Sequence, residues 1–311
     1  MSLRVSILVL IGLCMVGTAI AQSTETGLAS KAIPSQTISL SADFEGQLDP
    51  SVNTAYFCKG VARFITVPTA DNPKNRALLL TLDPTKASAI GRCDPANAPA
   101  ERTELAEPDE LRLPLGTEIW YSFRFMIPAA MKGKFVGDRA VLAQLKQSPN
   151  TCPLGPEPFG VAGPAEGNPT ISLRVIEDKR GGLMGLQLAV SGDGAPKLSV
   201  GRIMRPHDQF LDQWHDVLLH VKLAPRGDEV LSDPGFVEGW LDNQPFAHGL
   251  YGVLDSKGTI NTRERFGYAG LVGCTYFKYG IYRDRQAERW IVAFDRFRRG
   301  GTRESVETPL P

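Results

Sequence analysis

The chain has little of what marks several common protein classes. It contains five cysteines and four histidines in 311 residues, without the C-x-x-C or histidine-rich spacing of a zinc site. Basic and acidic residues both number 34, so no global field favours nucleic acid or a membrane surface. No internal repeat and no helix of convincing length is present. We therefore expect a monomer without nucleic-acid or membrane partners, in which a local cluster holds any anionic ligand.

The first 21 residues have the pattern of a secretory signal peptide. Arg4 precedes a short apolar run from Val5 to Val16, and Ala19-Ile20-Ala21 provides the small residues of a cleavage site. The run is too short to span a bilayer, and no later segment is apolar enough to do so. We expect a secreted or periplasmic protein organised as a signal peptide (1–21), a polar leader (22–39) and one domain (40–311).

Four cysteines remain once the signal peptide is removed. An even number of cysteines in an exported protein favours two disulfides, and three pairings are open to four cysteines. We favour Cys58–Cys93 and Cys152–Cys274. The second of these would hold the loop after Gln144 against the segment that carries Tyr282.

The hydrophobic pattern is that of short strands separated by turns. In the run from Glu118 to Ile127, for example, every second residue is apolar and aromatic or aliphatic, while the others are mixed. The segment Pro149–Pro169 is rich in proline and glycine and predicts a long ordered loop. Twelve strands are predicted, an all-β arrangement typical of a β-sandwich or jelly roll: 55–67, 77–83, 102–107, 118–127, 141–147, 171–176, 183–190, 197–203, 214–223, 235–241, 274–282 and 290–297.

The segment from Tyr276 to Arg283 is the most informative one. Alternation along a strand places Tyr276, Lys278, Gly280 and Tyr282 on one face. A lysine and two phenols around a glycine make a poor core surface. They suit the floor of a groove in which the lysine binds an anionic polymer and a phenol transfers a proton.

Two upstream segments carry polar pairs of the same kind. Arg102 and Glu104 share one strand face, and Gln144 and Lys146 share another, on which Leu142 is also expected. Taken alone, each pair is typical of a solvated strand, and a surface ion pair between Arg102 and Glu104 contributes little stability. Their order along the chain gives them more weight.

The order Arg-x-Glu-Leu, Gln-x-basic and Tyr-Phe-Lys-x-Gly-x-Tyr resembles the motif set of jelly-roll polysaccharide lyases. The resemblance is strongest to the heparin-lyase and glucuronan-lyase group, to which alginate lyases are related. Residues 116–125, 213–216 and 235–243 are also similar, so the resemblance covers most of residues 40–300. It implies a concanavalin A-like β-sandwich (β-jelly roll) with a concave substrate groove. It also implies β-elimination at a uronic acid of an anionic polysaccharide such as glucuronan, alginate or a glycosaminoglycan.

The resemblance assigns chemical roles to four residues. Arg102 and Gln144 match the positions that neutralise the uronate carboxylate, a task that suits a guanidinium fork and an amide. Tyr282 matches the tyrosine that donates a proton and in some members also removes one. Lys146 stands where many relatives have a histidine. Either Lys146 helps to neutralise the carboxylate while Tyr282 performs both proton steps, or another histidine takes over.

Further substrate contacts are expected from residues around this set. Lys278 would add positive charge beneath the carboxylate, and Tyr276 lies on the same strand face. Arg124 and Arg283 are candidates for flanking uronates, since a polyanion favours basic residues at adjacent subsites. His207 is the candidate replacement histidine; the other three histidines are His215, His220 and His248. Some relatives bind Ca²⁺, but no acidic loop here has the ligand spacing for it, so no cofactor is expected.

Two other functions remain open from the sequence. A non-catalytic, lectin-like carbohydrate-binding protein would keep the groove and lose the acid–base pair, and the lysine at position 146 favours this alternative. A glycoside hydrolase needs two carboxylates facing the scissile bond, and no closely spaced Glu-x-Asp-x-x-Glu strand is present.

Overall fold

Strands make up most of the part of the chain that the structure, a computed structural model, describes. The described residues are 39–44, 54, 56–67, 72–86, 98–114, 116–135, 139–148, 169–190, 198–222, 236–246, 250–251 and 274–307. All of these belong to one unit, Ile33–Pro311. Outside the described residues lie the predicted signal peptide, residues 22–38 of the predicted leader, most of the predicted loop (149–168), Cys93, Cys152 and His248.

Sixteen strands are present in the described ranges. They are β1 (Leu40–Ala42), β2 (Gly60–Thr66), β3 (Arg76–Leu82), β4 (Ala100–Ala106), β5 (Leu113–Pro114), β6 (Glu118–Met126), β7 (Ala140–Ser148), β8 (Ile171–Asp178), β9 (Leu183–Val190), β10 (Leu198–Pro206), β11 (Trp214–Lys222), β12 (Phe236–Leu241), β13 (Gln244–Pro245), β14 (Leu250–Tyr251), β15 (Cys274–Asp284) and β16 (Trp290–Gly300). The helices are short: α1 (His207–Phe210), α2 (Glu304–Glu307) and the 3₁₀ turns Asp109–Leu111 and Ala129–Met131. Each predicted strand overlaps an observed one, so the all-β prediction is confirmed.

Antiparallel pairing arranges these strands in two sheets. The nine-stranded sheet has the order β13-β12-β11-β6-β16-β3-β2, with β1 beside β16 and β14 beside β12. The seven-stranded sheet has the order β10-β9-β8-β7-β15-β4, with β5 beside β15. Their apolar faces share one core, in which the ring centroid of Tyr121 on β6 lies 4.5 Å from that of Phe277 on β15. The described strands thus form the predicted two-sheet sandwich of the jelly-roll class.

An ion pair in this core ties the two sheets together. Arg299 of β16 donates to Glu107, which follows β4, at 3.0 Å, and to the carbonyl oxygen of Leu111 at 2.8 Å. The second carboxylate oxygen of Glu107 accepts the N–H of Phe277 at 2.8 Å. Burial raises the pKa of Glu107, and the charge of Arg299 acts against that rise. Because both side chains are fully buried, each charge depends on the other for compensation.

A β-bulge in β7 changes which of its side chains enter the core. The pairing of β7 with β8 shifts register between Val141 and Ala143, and Leu142 and Ala143 both join the hydrophobic core. The prediction that Leu142 shares the face of Gln144 is therefore wrong, because the extra residue of the bulge breaks strict alternation.

The segment before β2 runs beside β4 before the chain enters the other sheet. The carbonyl oxygen of Tyr56 accepts the Glu104 N–H at 3.1 Å, and the Lys59 N–H donates to the carbonyl oxygen of Arg102 at 3.3 Å. The predicted strand over 55–67 is thus too long, since β2 begins at Gly60 in the nine-stranded sheet. This route brings the Tyr56 side chain next to the predicted motif strand.

Candidate active site

The outward face of β15 carries the polar side chains that the alternation predicts. Phe277, Tyr279 and Ile281 point into the core. The residues between them therefore face the other side of the seven-stranded sheet: Tyr276, Lys278, Gly280 and Tyr282. Pairing places Arg102 and Glu104 of β4 opposite Tyr282 and Gly280, and Gln144 and Lys146 of β7 opposite Lys278 and Tyr276. All four predicted catalytic residues therefore lie on one face of three neighbouring strands.

Gly280 allows β4 and β15 to come unusually close at this point. Its φ is +142°, in a region that residues with side chains rarely adopt. A Cβ placed there would lie 2.4 Å from the carbonyl oxygen of Thr103 and 2.7 Å from the Cα of Glu104. The absence of a side chain leaves room above β15 for Glu104 to reach across to β7.

Glu104 connects the two predicted carboxylate-neutralising residues. Its Oε1 accepts a hydrogen bond from the Gln144 amide, and its Oε2 lies 3.6 Å from Nη1 of Arg102. Glu104 is 1% exposed, so its carboxylate is fixed within the protein. It orients Arg102 from one side and Gln144 from the other. The sequence prediction missed this role, although alternation already placed Glu104 on the face of Arg102.

Two guanidinium groups flank the ring of Tyr282. The Cζ of Arg102 lies 4.5 Å from the ring centroid and that of Arg139 lies 5.2 Å from it. Arg139 is in turn 3.6 Å from Asp284, at the end of β15. Both guanidinium groups therefore make cation–π contacts with the Tyr282 ring. Tyr282 is partly exposed, so the phenol combines solvent access with a positive environment.

Lys278 and Tyr276 form a buried layer next to this face. The Lys278 Nζ lies 3.3 Å from the ring centroid of Tyr56, and the Arg112 Cζ lies 4.2 Å from that of Tyr276. The hydroxyls of Tyr56 and Tyr276 are 3.4 Å apart. Both Lys278 and Tyr276 are 0% exposed. Neighbouring side chains thus cover both residues on the outward face, and their direct contact with substrate stays a prediction.

Lys146 lies on the expected face but is largely buried. It follows Gln144 by two residues on β7 and is paired with Tyr276 of β15. Lys146 is 7% exposed and Gln144 is 2% exposed. A primary amide carries two N–H groups, so the hydrogen bond to Glu104 still leaves Gln144 a second donor.

The described histidines lie elsewhere. Nε2 of His207 is 3.1 Å from Glu177, whose side chain is 1% exposed. His215 contacts Asp242 at 2.8 Å and the carbonyl oxygen of Phe210 at 2.9 Å. His220 lies on the nine-stranded sheet between Glu118 and Glu238, 3.9 Å from the ring of Trp120. The prediction of His207 as the groove histidine is therefore corrected, because its ring is engaged beside Glu177, away from Tyr282.

Two predicted substrate-binding arginines are also placed differently. Arg283 is fully buried, donates to Glu101 at 2.8 Å through Nε, and lies 5.0 Å from the ring of Trp290, on the opposite side of β15 from Tyr282. Its burial lowers its pKa, against the charge of Glu101. Arg124 belongs to β6 of the nine-stranded sheet and pairs with Asp216 at 2.9 Å. Both arginines are therefore structural in this geometry, which corrects their predicted role in substrate binding.

The remaining predictions for this region concern cysteines, metals and membranes. Cys58 and Cys274 are buried; the favoured partners, Cys93 and Cys152, are outside the described residues, so the two disulfides and their pairing stay a prediction. Within the described ranges, no three His, Cys, Asp or Glu side chains are grouped as metal ligands. No helix among the same residues has the length and apolarity of a bilayer span.

Comparison with known proteins decides the family. The family model described as polysaccharide lyase matches residues 41–298, most of the chain. The chain belongs to the polysaccharide lyase family. As a polysaccharide lyase it is an enzyme with a polysaccharide substrate, so the lectin-like and glycoside hydrolase alternatives are set aside.

Solved structures similar to this lyase include two alginate lyases and a third protein. The alginate lyase vAL-1 from Chlorella virus is 13% identical, with a TM-score of 0.42 over 80% of this chain and 90% of that one. The alginate lyase Aly36B is 10% identical, with a TM-score of 0.46 over 86% and 98% of the two chains. The cellulose-induced protein Cip1 is 12% identical, with a TM-score of 0.43 over 85% and 97%. No curated protein matches the lyase.

Proposed function

We propose that this lyase cleaves a uronate-containing, anionic polysaccharide by β-elimination. One observation carries the proposal: Arg102, Gln144 and Tyr282 share one sheet face, with Glu104 holding the first two in place. A guanidinium and an amide beside a phenol form the set that this reaction needs. Glucuronan is the first candidate substrate, followed by alginate and glycosaminoglycans.

The first requirement of the reaction is a neutralised carboxylate. The hydrogen on the carbon next to an ionised carboxylate is a very weak acid, and its removal places further negative charge on the carboxylate oxygens. Arg102 and the free N–H of Gln144 stabilise that developing charge. Lys146 and Lys278 add positive charge from the same face of β7 and β15. Because Glu104 fixes both donors before substrate binds, little reorganisation is needed during the reaction.

The second requirement is proton transfer. Tyr282, as the phenolate beside Arg102 and Arg139, removes the proton from that carbon. The bond between the adjacent carbon and the glycosidic oxygen then breaks, a carbon–carbon double bond forms, and Tyr282 returns the proton to the departing oxygen. The phenolate is regenerated and no water is consumed. The positions of the described histidines favour this assignment over a histidine base.

The cellular setting belongs to the same proposal. An exported enzyme would meet extracellular polysaccharide in an oxidising compartment, where disulfides persist. The signal-peptide pattern of residues 1–21 and the even number of cysteines that remain after it support export. A secreted or periplasmic lyase follows from these features, and we propose that it acts as a monomer.

The proposal is tested by ultraviolet absorbance of the conjugated double bond. The purified mature protein is followed over time with glucuronan, alginate, heparin, chondroitin sulfate and neutral cellulose. We expect absorbance to rise with one or more of the anionic polymers and to stay flat with cellulose. The proposal would be contradicted if absorbance stayed flat with every anionic polymer, whether or not it rose with cellulose.

Glu104 is expected to act as a positioning residue for this reaction. Glu104→Ala frees both Arg102 and Gln144, and misplaced groups of this kind cost on the order of 100-fold in kcat. Glu104→Gln should lose less, because its oxygen still accepts from Gln144 although no charge faces Arg102. Initial rates across substrate concentrations give kcat and KM, and thermal melting reports stability.

Glu238→Gln provides the matched control. Glu238 is partly buried and hydrogen-bonded, at 2.9 Å to His220, but it lies on the nine-stranded sheet. We expect its kcat to equal that of the unmodified lyase. A Glu104→Ala protein with normal kcat, or one whose loss of rate is no greater than that of the control, would remove Glu104 from the mechanism.

A further inference from the structure

A row of paired residues that includes three arginines crosses the seven-stranded sheet from the candidate site to its far edge. Cross-strand pairing continues from Arg102 and Tyr282 through Val141 of β7 to Arg174 of β8, then through Gln187 of β9 to Arg202 of β10. The row therefore spans all six strands on the main path of this sheet.

The side chains at the far end of this row face the same side as Tyr282. On either side of Arg174, Leu173 and Val175 are core residues; Leu186 and Leu188 flank Gln187 in the same way. Alternation therefore turns Arg174 and Gln187 outward. Arg174 donates through Nε to Ser172, the next outward residue on its strand, at 3.2 Å. Arg174 and Gln187 are partly exposed and Arg202 is exposed, so this end of the row is open to solvent.

The neighbouring outward rows are neutral and contain small residues. On one side, pairing aligns Ser172 and Ala189; on the other, it aligns Ile176, Gly185 and Met204. Positive charge on this half of the face is therefore concentrated in the row that ends at Arg202. A single charged line on a neutral surface fits a linear polyanion laid across the strands.

The spacing along the row also fits a polymer. Adjacent strands are about 4.8 Å apart, so Arg174 lies about 10 Å from Tyr282 and Arg202 about 10 Å farther on. Each interval is close to the length of one disaccharide. An extended chain that crosses the row would thus place the carboxylates of alternate sugars near an arginine.

We propose that Arg174 and Arg202 form two remote carboxylate subsites, so that the lyase binds an extended anionic polysaccharide across β8 to β10. This inference rests on the proposed function for the identity of the ligand and deepens it. It implies that long chains bind better than short ones. Gln187, between the two arginines, is placed to hydrogen-bond an intervening sugar.

The test compares the double variant Arg174→Gln, Arg202→Gln with a matched control, Lys179→Gln, Arg180→Gln. The control loses the same two charges, but from exposed positions in the turn that joins β8 to β9. Binding is measured by retardation in native gels that contain glucuronan or alginate, at several NaCl concentrations. Charge-assisted hydrogen bonds of this kind are worth about tenfold in affinity each. We expect the double variant to lose affinity by this order or more and to depend less steeply on salt.

Turnover provides a second readout. The double variant should lose more kcat/KM on the long polymer than on the shortest oligosaccharide that is cleaved, because a short chain does not reach Arg202. The control should match the unmodified lyase in both assays, and melting temperatures identify any misfolded variant.

The outcomes separate this inference from the proposed function. Unchanged retardation of the double variant, or an equal loss in the control, would overturn the inference while leaving the elimination reaction standing. Loss of retardation in the double variant alone, without ultraviolet absorbance on any polymer, would support the subsites and refute the proposed reaction. Equal losses of kcat/KM on long and short chains would contradict remote subsites.

Discussion

Tyr282→Phe is expected to lose kcat by about 10²- to 10⁴-fold, the usual contribution of general acid–base catalysis. The substitution removes the oxygen that carries the proton and keeps the ring that Arg102 and Arg139 flank. The affinity of this variant for polymer should therefore stay within a few-fold of that of the unmodified lyase. Initial rates of ultraviolet absorbance and retardation in polymer-containing gels measure the two effects separately.

Tyr279→Phe is the control for this variant. Tyr279 lies on the same strand, but its ring points into the core and is 4.6 Å from that of Phe297. Loss of its hydroxyl should leave kcat unchanged. A Tyr282→Phe protein that turns over at the normal rate would exclude the phenol as acid and base.

Arg102→Ala is expected to lower kcat by about 10²- to 10³-fold, because one preorganised donor to the developing charge is lost. Arg102→Lys should restore part of the rate, since a lysine supplies charge but not the two-pronged geometry of a guanidinium. Gln144→Ala should lose kcat for the same reason as Arg102→Ala. The kcat and KM values of the three variants on one polymer provide the comparison.

The change in KM distinguishes this role from simple binding. A donor that acts mainly on the developing charge lowers kcat, whereas a residue that only binds substrate raises KM at constant kcat. Arg303→Ala is a suitable control, because Arg303 is a partly exposed residue that is paired with Glu307 of α2, away from the candidate site. Near-normal kcat in both Arg102→Ala and Gln144→Ala would contradict carboxylate neutralisation by this pair.

The fold was largely predictable because half-buried strands show a regular alternation of apolar and polar residues in the sequence. The run from Ile119 to Ile127 buries every second side chain, and the Tyr276 strand does the same with its core-facing residues. Where a bulge adds a residue, as between Val141 and Ala143, alternation fails and the position of Leu142 was assigned wrongly. Bulges depend on pairing with another strand, which a single strand's pattern does not contain.

The candidate site was predictable as a set of residues but not as an arrangement. Motif order brought Arg102, Gln144 and Tyr282 together, and the structure places them on one face. Burial of Lys278 depends on Tyr56, more than 200 positions away along the chain, and no local pattern predicts that contact. The hydrogen bond from Gln144 to Glu104 likewise requires the close approach at Gly280.

The predictions for Arg124 and Arg283 were wrong for different physical reasons. Arg124 was expected beside the groove as a basic residue for a flanking uronate, but the order of strands places it in the other sheet. Arg283 lies one residue from Tyr282, and the period of two turns it to the opposite side, where Glu101 compensates its buried charge. A basic residue near a motif is therefore a weak predictor of substrate contact.

The chemical step itself can be tested most directly with water enriched in heavy oxygen. The lyase is incubated in this water with the anionic polymer that gives the strongest absorbance, and the masses of the products are measured by mass spectrometry. Elimination consumes no water, so we predict that each new non-reducing end is an unsaturated uronate and that bond cleavage introduces no heavy oxygen. Oligosaccharides of the same polymer, incubated in the heavy water without the lyase, correct for slow oxygen exchange at reducing ends. Products that carry one heavy oxygen per cleaved bond, without a double bond, would contradict the account.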